Sequence, residues 1–496
     1  MSQVPSTASL GSRKGSAKLE AVTKLLDKLT EDLKSKTLQT QERDAALEEL
    51  KVYGREPSYA DPIFTKEGID TLTKYAFESG SETTSQNALR VLCNALLLKP
   101  ETRQIFVDLK CEPKACAKLK TDSWDNEFLL SRLIFLTTYG TSIDLPKLIE
   151  EAQLADSIAQ NLSRHAARHS TESTGKAKAD PMEEMALAET LKLLFNVTRF
   201  TNNHISRFDA TLPPIATILC GRDLPNNSKT PLDPPFSLLI NALMNLDFAS
   251  PAAQKSLYSA DNKVANRLLD LLDLSMKTYT DTDLEQSVTP LICVLSSFYQ
   301  HAPPSSSSSS SSSSTKQLIE TTLLPSDTDR KRVLGKADTL PSRLLRNWTN
   351  PLAPEFRRAV AHLYFDLSGR DAGRFVENVG YGYASGFLFQ NKIPVPEGAM
   401  QGGGEGEGGA GGGTGAGAGA GRAARPVNPI TGQFIDEESF PELPEMTMEE
   451  KEREAERLFV LFERLKQTGV MSVQNPVEKA VQEGRFEELP DDEDVD

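Results

Sequence analysis

Residues 89–106 read LRVLCNALLLKPETRQIF, and the same spacing returns twice more. Residues 191–208 read LKLLFNVTRFTNNHISRF, and residues 240–257 read INALMNLDFASPAAQKSL. Each holds an asparagine, Asn94, Asn196 or Asn245, with Leu89, Leu191 or Ile240 five residues before it and Leu92, Leu194 or Leu243 two before. Cys93, Phe195 or Met244 directly precedes it, Ala95, Val197 or Leu246 follows, and Phe106, Phe208 or Leu257 stands twelve residues on. Apolar positions three apart share one face of a helix with a period of about 3.6 residues. One helix therefore buries a stripe, a turn follows, and the next helix begins at about the same place.

Weaker copies centre on Phe135 (LSRLIFLTTYG), Ser297 (PLICVLSSFYQ) and Asp366 (AVAHLYFDLSG). The centres 94, 135, 196, 245, 297 and 366 are spaced by 41, 61, 49, 52 and 69 residues. An armadillo or HEAT unit is about 40–47 residues long, and the longer intervals hold polar inserts. These inserts lie near 166–181, 222–235 and 302–316, the last with ten consecutive serines, Ser305 to Ser314. Valine-rich alternating runs are absent. The pattern predicts an all-α, armadillo/HEAT-like α-solenoid of about six to nine repeats over 18–391. It follows a disordered N-terminus over 1–17 and ends in a Gly-rich linker over 392–427. An acidic C-terminal arm over 428–496 comes last. The polar, serine and glycine tracts bury too little apolar surface to offset the entropy of ordering them.

Charge and cysteine content narrow the function. The net charge is -15, and residues 428–496 alone hold 20 acidic and 7 basic residues. A near-neutral body with an acidic tail argues against nucleic-acid binding. No apolar stretch is long enough to span a bilayer, and the opening MSQVPSTASLGSRKGSAK has no apolar signal core. The five cysteines, Cys93, Cys111, Cys116, Cys220 and Cys293, form no C-x-x-C pair, so a reducing cytosol or nucleus is expected. There is no P-loop, no H-E-x-x-H and no G-x-S-x-G elbow. His165 and His169 stand at i, i+4 without a third metal ligand in reach. The chain reads as a binder without covalent chemistry, metal or cofactor.

Binding candidates follow from placement. A mid-helix asparagine is a poor helix former. Asn94, Asn196 and Asn245 suit two roles: an internal tether between helices, or an inner-face ladder that holds a peptide by its backbone. Lys51 and Arg55, at i, i+4 in LEELKVYGREP, suit a solvated basic face or the capture of a carboxylate beside Asn94. In FVENVGYGYASGFLFQNKI, Gly380, Gly382 and Gly386 alternate with Tyr381, Tyr383 and Phe387, the texture of a last helix packed tightly on the repeat before it.

In the arm, Thr447 as N-cap and Glu450 three residues later make a capping box for a helix over 448–467. Its apolar face is Ala455, Leu458, Phe459, Phe462 and Leu465, and Val477 and Val481 begin a second short stripe. Large apolar side chains left exposed forgo roughly 1.5–3 kcal/mol each, so this helix docks on the solenoid or on a partner.

NPITG at Asn428, PELPEMTMEEKEREAERLFVLFERL, VGYGYASGFL, SQNALRVLCNALLLKP, AETLKLLFNVTRF and PLICVLSSFYQ, in this order and spacing, resemble the synembryn family. Its members are exchange factors and folding chaperones for the α-subunits of heterotrimeric G proteins. The resemblance implies a superhelix that grips the Gα Ras-like domain, nucleotide-free or GDP-bound, and draws the Gα C-terminal helix into its concave face. It implies that Lys51, Arg55 and Asn94 meet the Gα C-terminus, with Phe135, Asn196 and Asn245 further along. The family's first basic residue is usually Arg, so Lys51 loses a bidentate fork. The arm, through Leu458, Phe459, Phe462, Leu465, Val477 and Val481, reaches the Gα switch region. Where the family has an acidic phosphorylation segment this chain has its glycine tract, leaving Ser439 and Thr447, each with Glu three residues on, as kinase candidates. A cytoplasmic monomer recruited with Gα to the cell cortex or plasma membrane is expected. A passive armadillo-type scaffold for extended peptides is the alternative.

Overall fold

The computed structural model describes residues 13–168, 180–303, 314–394, 425, 427–428, 430–438, 447, 453 and 457. The chain divides into two compact units, Met1–Asp436 and Glu437–Asp496. The first unit is an all-α solenoid. Its chain opens with α1 (Ser16–Ser35), α2 (Thr40–Tyr53), α3 (Lys66–Glu78), α4 (Glu82–Leu98), α5 (Glu101–Asp108), α6 (Glu112–Leu119) and α7 (Trp124–Thr137). It continues with α8 (Leu145–Glu150), α9 (Leu154–Arg168), α10 (Pro181–Phe200), α11 (Leu212–Gly221), α12 (Phe236–Met244), α13 (Pro251–Ser256) and α14 (Lys263–Thr278). It closes with α15 (Asp281–Asp283), α16 (Thr289–His301), α17 (Thr315–Leu323), α18 (Leu340–Arg346), α19 (Pro354–Leu367), α20 (Ala372–Val379) and α21 (Tyr381–Gln390).

Two rows of helices run through the unit. In the first, α2 packs on α4, α4 on α7, α7 on α10, α10 on α12, α12 on α16 and α16 on α19. In the second, α6 packs on α9, α9 on α11, α11 on α14, and α14 on α17 and α18. The recurrence seen in the sequence is the buried stripe of the first row. Leu89, Leu92 and Ala95 on α4, Leu191, Leu194 and Val197 on α10, and Ile240 and Leu243 on α12 are all buried, as are Phe106, Phe208 and Leu257 twelve residues past each asparagine. The position before the asparagine diverges: Cys93 is buried and Met244 is exposed, Met244 being the last residue of α12 whereas α4 runs on to Leu98. The centres Phe135, Ser297 and Asp366 fall on α7, α16 and α19, members of the same row.

Polar staples fix neighbouring row helices in register. The Ser131 and Thr190 hydroxyls meet at 3.0 Å between α7 and α10. Asp366 on α19 accepts from Ser296 at 2.6 Å and Gln300 at 2.7 Å on α16. Buried polar groups must find such partners, since an unmet one costs about 1–3 kcal/mol. His165 is likewise committed to structure: its Nε2 lies 2.9 Å from Glu127 Oε1, and Trp124 stacks on its ring. His169 lies outside the described residues.

Helix α9 runs to Arg168 and α10 starts at Pro181, so both edges of the expected insert at 166–181 are helical. Ser314, the last of the serine run, caps α17 by accepting from the Gln317 amide. At the other end, Phe387 of α21 packs edge-on to Phe375 and tilted to Phe365, 5.5 and 5.2 Å between ring centres. The glycine side of that helix faces a different element. Residues 427–428 and 430–434, placed above at the end of the linker and the start of the arm, return to the solenoid as a strap. Thr431 O accepts from Leu334 N at 3.2 Å, and Phe434 N donates to Arg330 O at 2.8 Å. The Arg330 guanidinium donates to Gly432 O on the strap and to Glu377 O, holding strap and α20 together. Gly432 has φ +68, and a Cβ there would lie 2.3 Å from Leu334 Cδ1, so a side chain would be strained and would push Leu334 aside.

In the second unit Arg453 and Arg457 are helical and exposed, and Thr447 is exposed. The arm positions Leu458, Phe459, Phe462, Leu465, Val477 and Val481, and Ser439, lie outside the described residues.

Candidate functional site

Three row helices open a cleft at one end of the solenoid. Lys51 in the last turn of α2 and Arg55 just beyond it form one wall. Arg90, Cys93 and Asn94 of α4 form the floor, and Phe128, Leu129 and Arg132 of α7 the far wall. The spacing explains the convergence. Arg90 and Asn94 are one helical turn apart, as are Phe128 and Arg132, so each pair points to one side of its helix.

Four cations line the cleft, and among the described residues no carboxylate does. They are not equally free. Arg90 bonds Asp125 Oδ1 at 2.7 Å and Asn87 Oδ1 at 3.1 Å. Arg132 reaches Glu189 Oε1 at 3.4 Å, an oxygen also held by Lys192 at 3.0 Å, and lies 5.5 Å over the Phe128 ring. Lys51 is 3.4 Å from the half-exposed Glu48 carboxylate. Among the described residues the Arg55 guanidinium has no carboxylate partner, and the Asn94 side-chain amide has no hydrogen bond. These two groups therefore keep unengaged donors at the cleft. A carboxylate offers about four lone-pair sites on two oxygens and takes a guanidinium fork bidentately. A chain terminus or an acidic side chain fits this donor set.

Cys93 is no nucleophile. Burial pushes its thiol up to about 12, and it donates to Leu129 O at 3.3 Å. It stays neutral and ties α4 to α7.

The three repeat asparagines separate. The Asn196 amide, buried, donates to Thr138 Oγ1 at 2.8 Å. The Asn245 amide donates to Phe195 O at 3.0 Å and Thr198 Oγ1 at 3.3 Å. Both tether adjacent row helices, the first of the two roles that the sequence left open. Asn94 alone opens into the cleft. Phe135 is half-buried on the core and meets Tyr139 edge-on at 5.2 Å. Tyr139, Phe200 and Met244 are exposed near the ends of successive row helices.

Lys51, Arg55 and Asn94 stand out in the sequence by residue type and spacing, whereas Arg90, Arg132 and Phe128 do not. The signal for Arg90 was its place one turn before Asn94. Phe128, Arg132 and Phe135 stand at i, i+4 and i+7, one face of α7.

Comparison with known proteins points one way. The family model described as "Guanine nucleotide exchange factor synembryn" matches residues 46–485. A synembryn-like chaperone of Schizosaccharomyces pombe is 24% identical over 382 residues, covering 75% of this chain and 68% of its own length. Chaperone Ric-8A of Xenopus tropicalis is 25% identical over 502 residues, 94% of this chain and 88% of its own. Chaperone Ric-8A of Macaca fascicularis is 23% identical over 451 residues, covering 86% and 81%.

Proposed function

The chain belongs to the synembryn family of guanine nucleotide exchange factors, and from that premise we propose that it binds the α-subunit of a heterotrimeric G protein. It holds Gα nucleotide-free, acting as exchange factor and folding chaperone. The observation that carries this reading is the basic cleft, where Arg55 and Asn94 hold open donors between Lys51, Arg90 and Arg132. The C-terminal carboxylate of Gα enters there. Its last helix then runs along the first row past Phe135, and Asn196 and Asn245 serve by keeping that row in register.

Exchange on this reading needs no covalent step. A protein that binds the nucleotide-free state best shifts Gα toward it, and nucleotide binding releases the complex by mass action. The arm, with Leu458, Phe459, Phe462, Leu465, Val477 and Val481, reaches over to the Gα switch region. The working form is a cytoplasmic monomer brought to the cell cortex by Gα. Among the described residues no helix is long and apolar enough to cross a membrane.

The test is co-elution of the purified chain with Gα. A complex that forms after nucleotide is stripped and dissolves on adding a GTP analogue supports the proposal. Equal binding with and without nucleotide would mean a passive scaffold.

A further inference from the structure

Helix α1 lies before the stretch that the family model matches, residues 46–485, yet it touches the segment that carries Arg55. Two anchors hold it. At its C-terminal end Asp32, buried, accepts from Leu38 N at 2.7 Å, Arg43 Nε at 2.6 Å and Tyr75 Oη at 2.8 Å. These bonds join α1 to α2 and α3, while Val22, Leu26 and Leu29 bury its apolar face. At the N-terminal end stands Lys18, 7% exposed. Its Nζ donates to Glu56 O at 2.6 Å and to Ser58 O at 2.8 Å.

A buried ammonium normally pairs with a carboxylate. Here both described acceptors are backbone carbonyls, on the turn that follows α2. Within that turn the Glu56 carboxylate accepts from the Ser58 amide at 3.2 Å and hydroxyl at 2.9 Å, but the backbone bonds on either side of Arg55 are long. Arg55 N to Val52 O and Glu56 N to Tyr53 O are each 3.4 Å, at the outer edge of a hydrogen bond. Tyr59 sits at φ 61, outside regular structure. The two ammonium bonds are shorter than these backbone bonds and charge-assisted, so they anchor the turn to α1. Arg55 directly precedes the clamped Glu56 carbonyl, and its guanidinium has no carboxylate partner among the described residues to orient it. The point and angle at which its side chain leaves the chain are set by this backbone.

We infer that Lys18 is a positioning residue for Arg55: α1 clamps the turn and so fixes the backbone from which the Arg55 side chain reaches a ligand carboxylate in the cleft. This rests on the carboxylate-binding role proposed above. Fixing that backbone raises affinity by reducing the cost of ordering the arginine on binding.

The test compares wild type, Lys18→Met and Lys18→Arg with two synthetic peptides copying the last fifteen or so residues of a Gα, one ending in a free carboxylate and one in an amide. Wild type favours the free acid by about tenfold, the worth of one good charge-assisted pair. K18M weakens the acid peptide about fivefold, leaves the amide peptide unchanged, and K18R restores most of the difference. An equal loss for both peptides, or no loss, overturns the clamp. Hydrogen exchange of the Arg55 and Glu56 amides in the free protein is the independent readout. K18M speeds it about tenfold or more, and unchanged exchange overturns the inference even with no peptide bound. Absence of acid-over-amide preference in wild type, with faster exchange in K18M, would instead fault the carboxylate reading of the cleft and leave the clamp standing.

Discussion

The buried Asn196 side chain donates its amide to the Thr138 hydroxyl across 2.8 Å, joining the end of α7 to α10. Its counterpart Asn94 occupies the same place in the repeat and opens into the cleft. One position thus braces two helices in one repeat and faces an open cleft in another. Asn196→Ala should cost about 1–2 kcal/mol of stability, through the lost bond and the unmet Thr138 group. Asn94→Ala should cost under about 0.5 kcal/mol and weaken Gα binding several-fold. Thermal unfolding and a binding titration of both variants separate the roles. The reverse pattern would refute the assignment.

Arg55→Ala should weaken Gα binding about tenfold without lowering the melting temperature, because the side chain is exposed and makes no ion pair with any described residue. Adding Lys51→Ala should weaken it further and flatten the dependence of affinity on salt, since a cleft with fewer cations draws an anion less strongly at a distance. Affinity measured at two ionic strengths checks both. An unchanged salt dependence in the double variant speaks against an anionic ligand end.

The buried Glu127 carboxylate joins three helices, accepting from Thr190 at 2.6 Å, from Arg164 and from His165. Burial pushes its pKa up, but the His165 hydrogen bond and charge, with Thr190 and Arg164, outweigh burial and hold it below the ordinary 4.5. A carboxyl lowered by folding contributes stability that is complete above its unfolded pKa and lost as pH falls through its folded value. Glu127→Gln should therefore cost about 3 kcal/mol near pH 7, and the gap to wild type should close as pH drops below about 4. Melting temperatures from pH 7 down to pH 3 read this directly. A gap independent of pH would place the stabilisation outside the charge of Glu127.

The strap at 427–428 and 430–434 sets where the arm can be removed cleanly. Truncation after residue 438 should keep the melting temperature and lower exchange activity. Truncation after residue 424 should lower both, because it removes the partners of Arg330 and Leu334. Gly432→Ala in the full chain should reproduce the loss of stability, by about 1–3 kcal/mol, from its clash with Leu334. Equal melting temperatures for the two truncations would show that the strap holds nothing.

Much of the solenoid was legible because its stripe repeats locally: Leu89, Leu191 and Ile240 announce the same buried face three times. The cleft was half legible. Lys51, Arg55 and Asn94 stand out by residue type, whereas Arg90 and Arg132 resemble any surface arginine until α4 and α7 are set side by side. The roles of Asn196 and Asn245 were open for the same reason, since only the neighbouring helix supplies Thr138, Thr198 and the Phe195 carbonyl. The strap was unreadable, because Gly432 meets Leu334 across about a hundred residues of chain. Lys18 carried no signal at all, as two backbone carbonyls leave no mark in a sequence.

The most direct measurement is the rate of GDP release from a purified Gα subunit, with this protein, with its Arg55→Ala, Asn94→Ala variant, and alone. The account predicts faster release with the wild-type chain and markedly slower acceleration with the variant. Release that stays at the rate of Gα alone, while the two proteins still bind regardless of nucleotide, would contradict it.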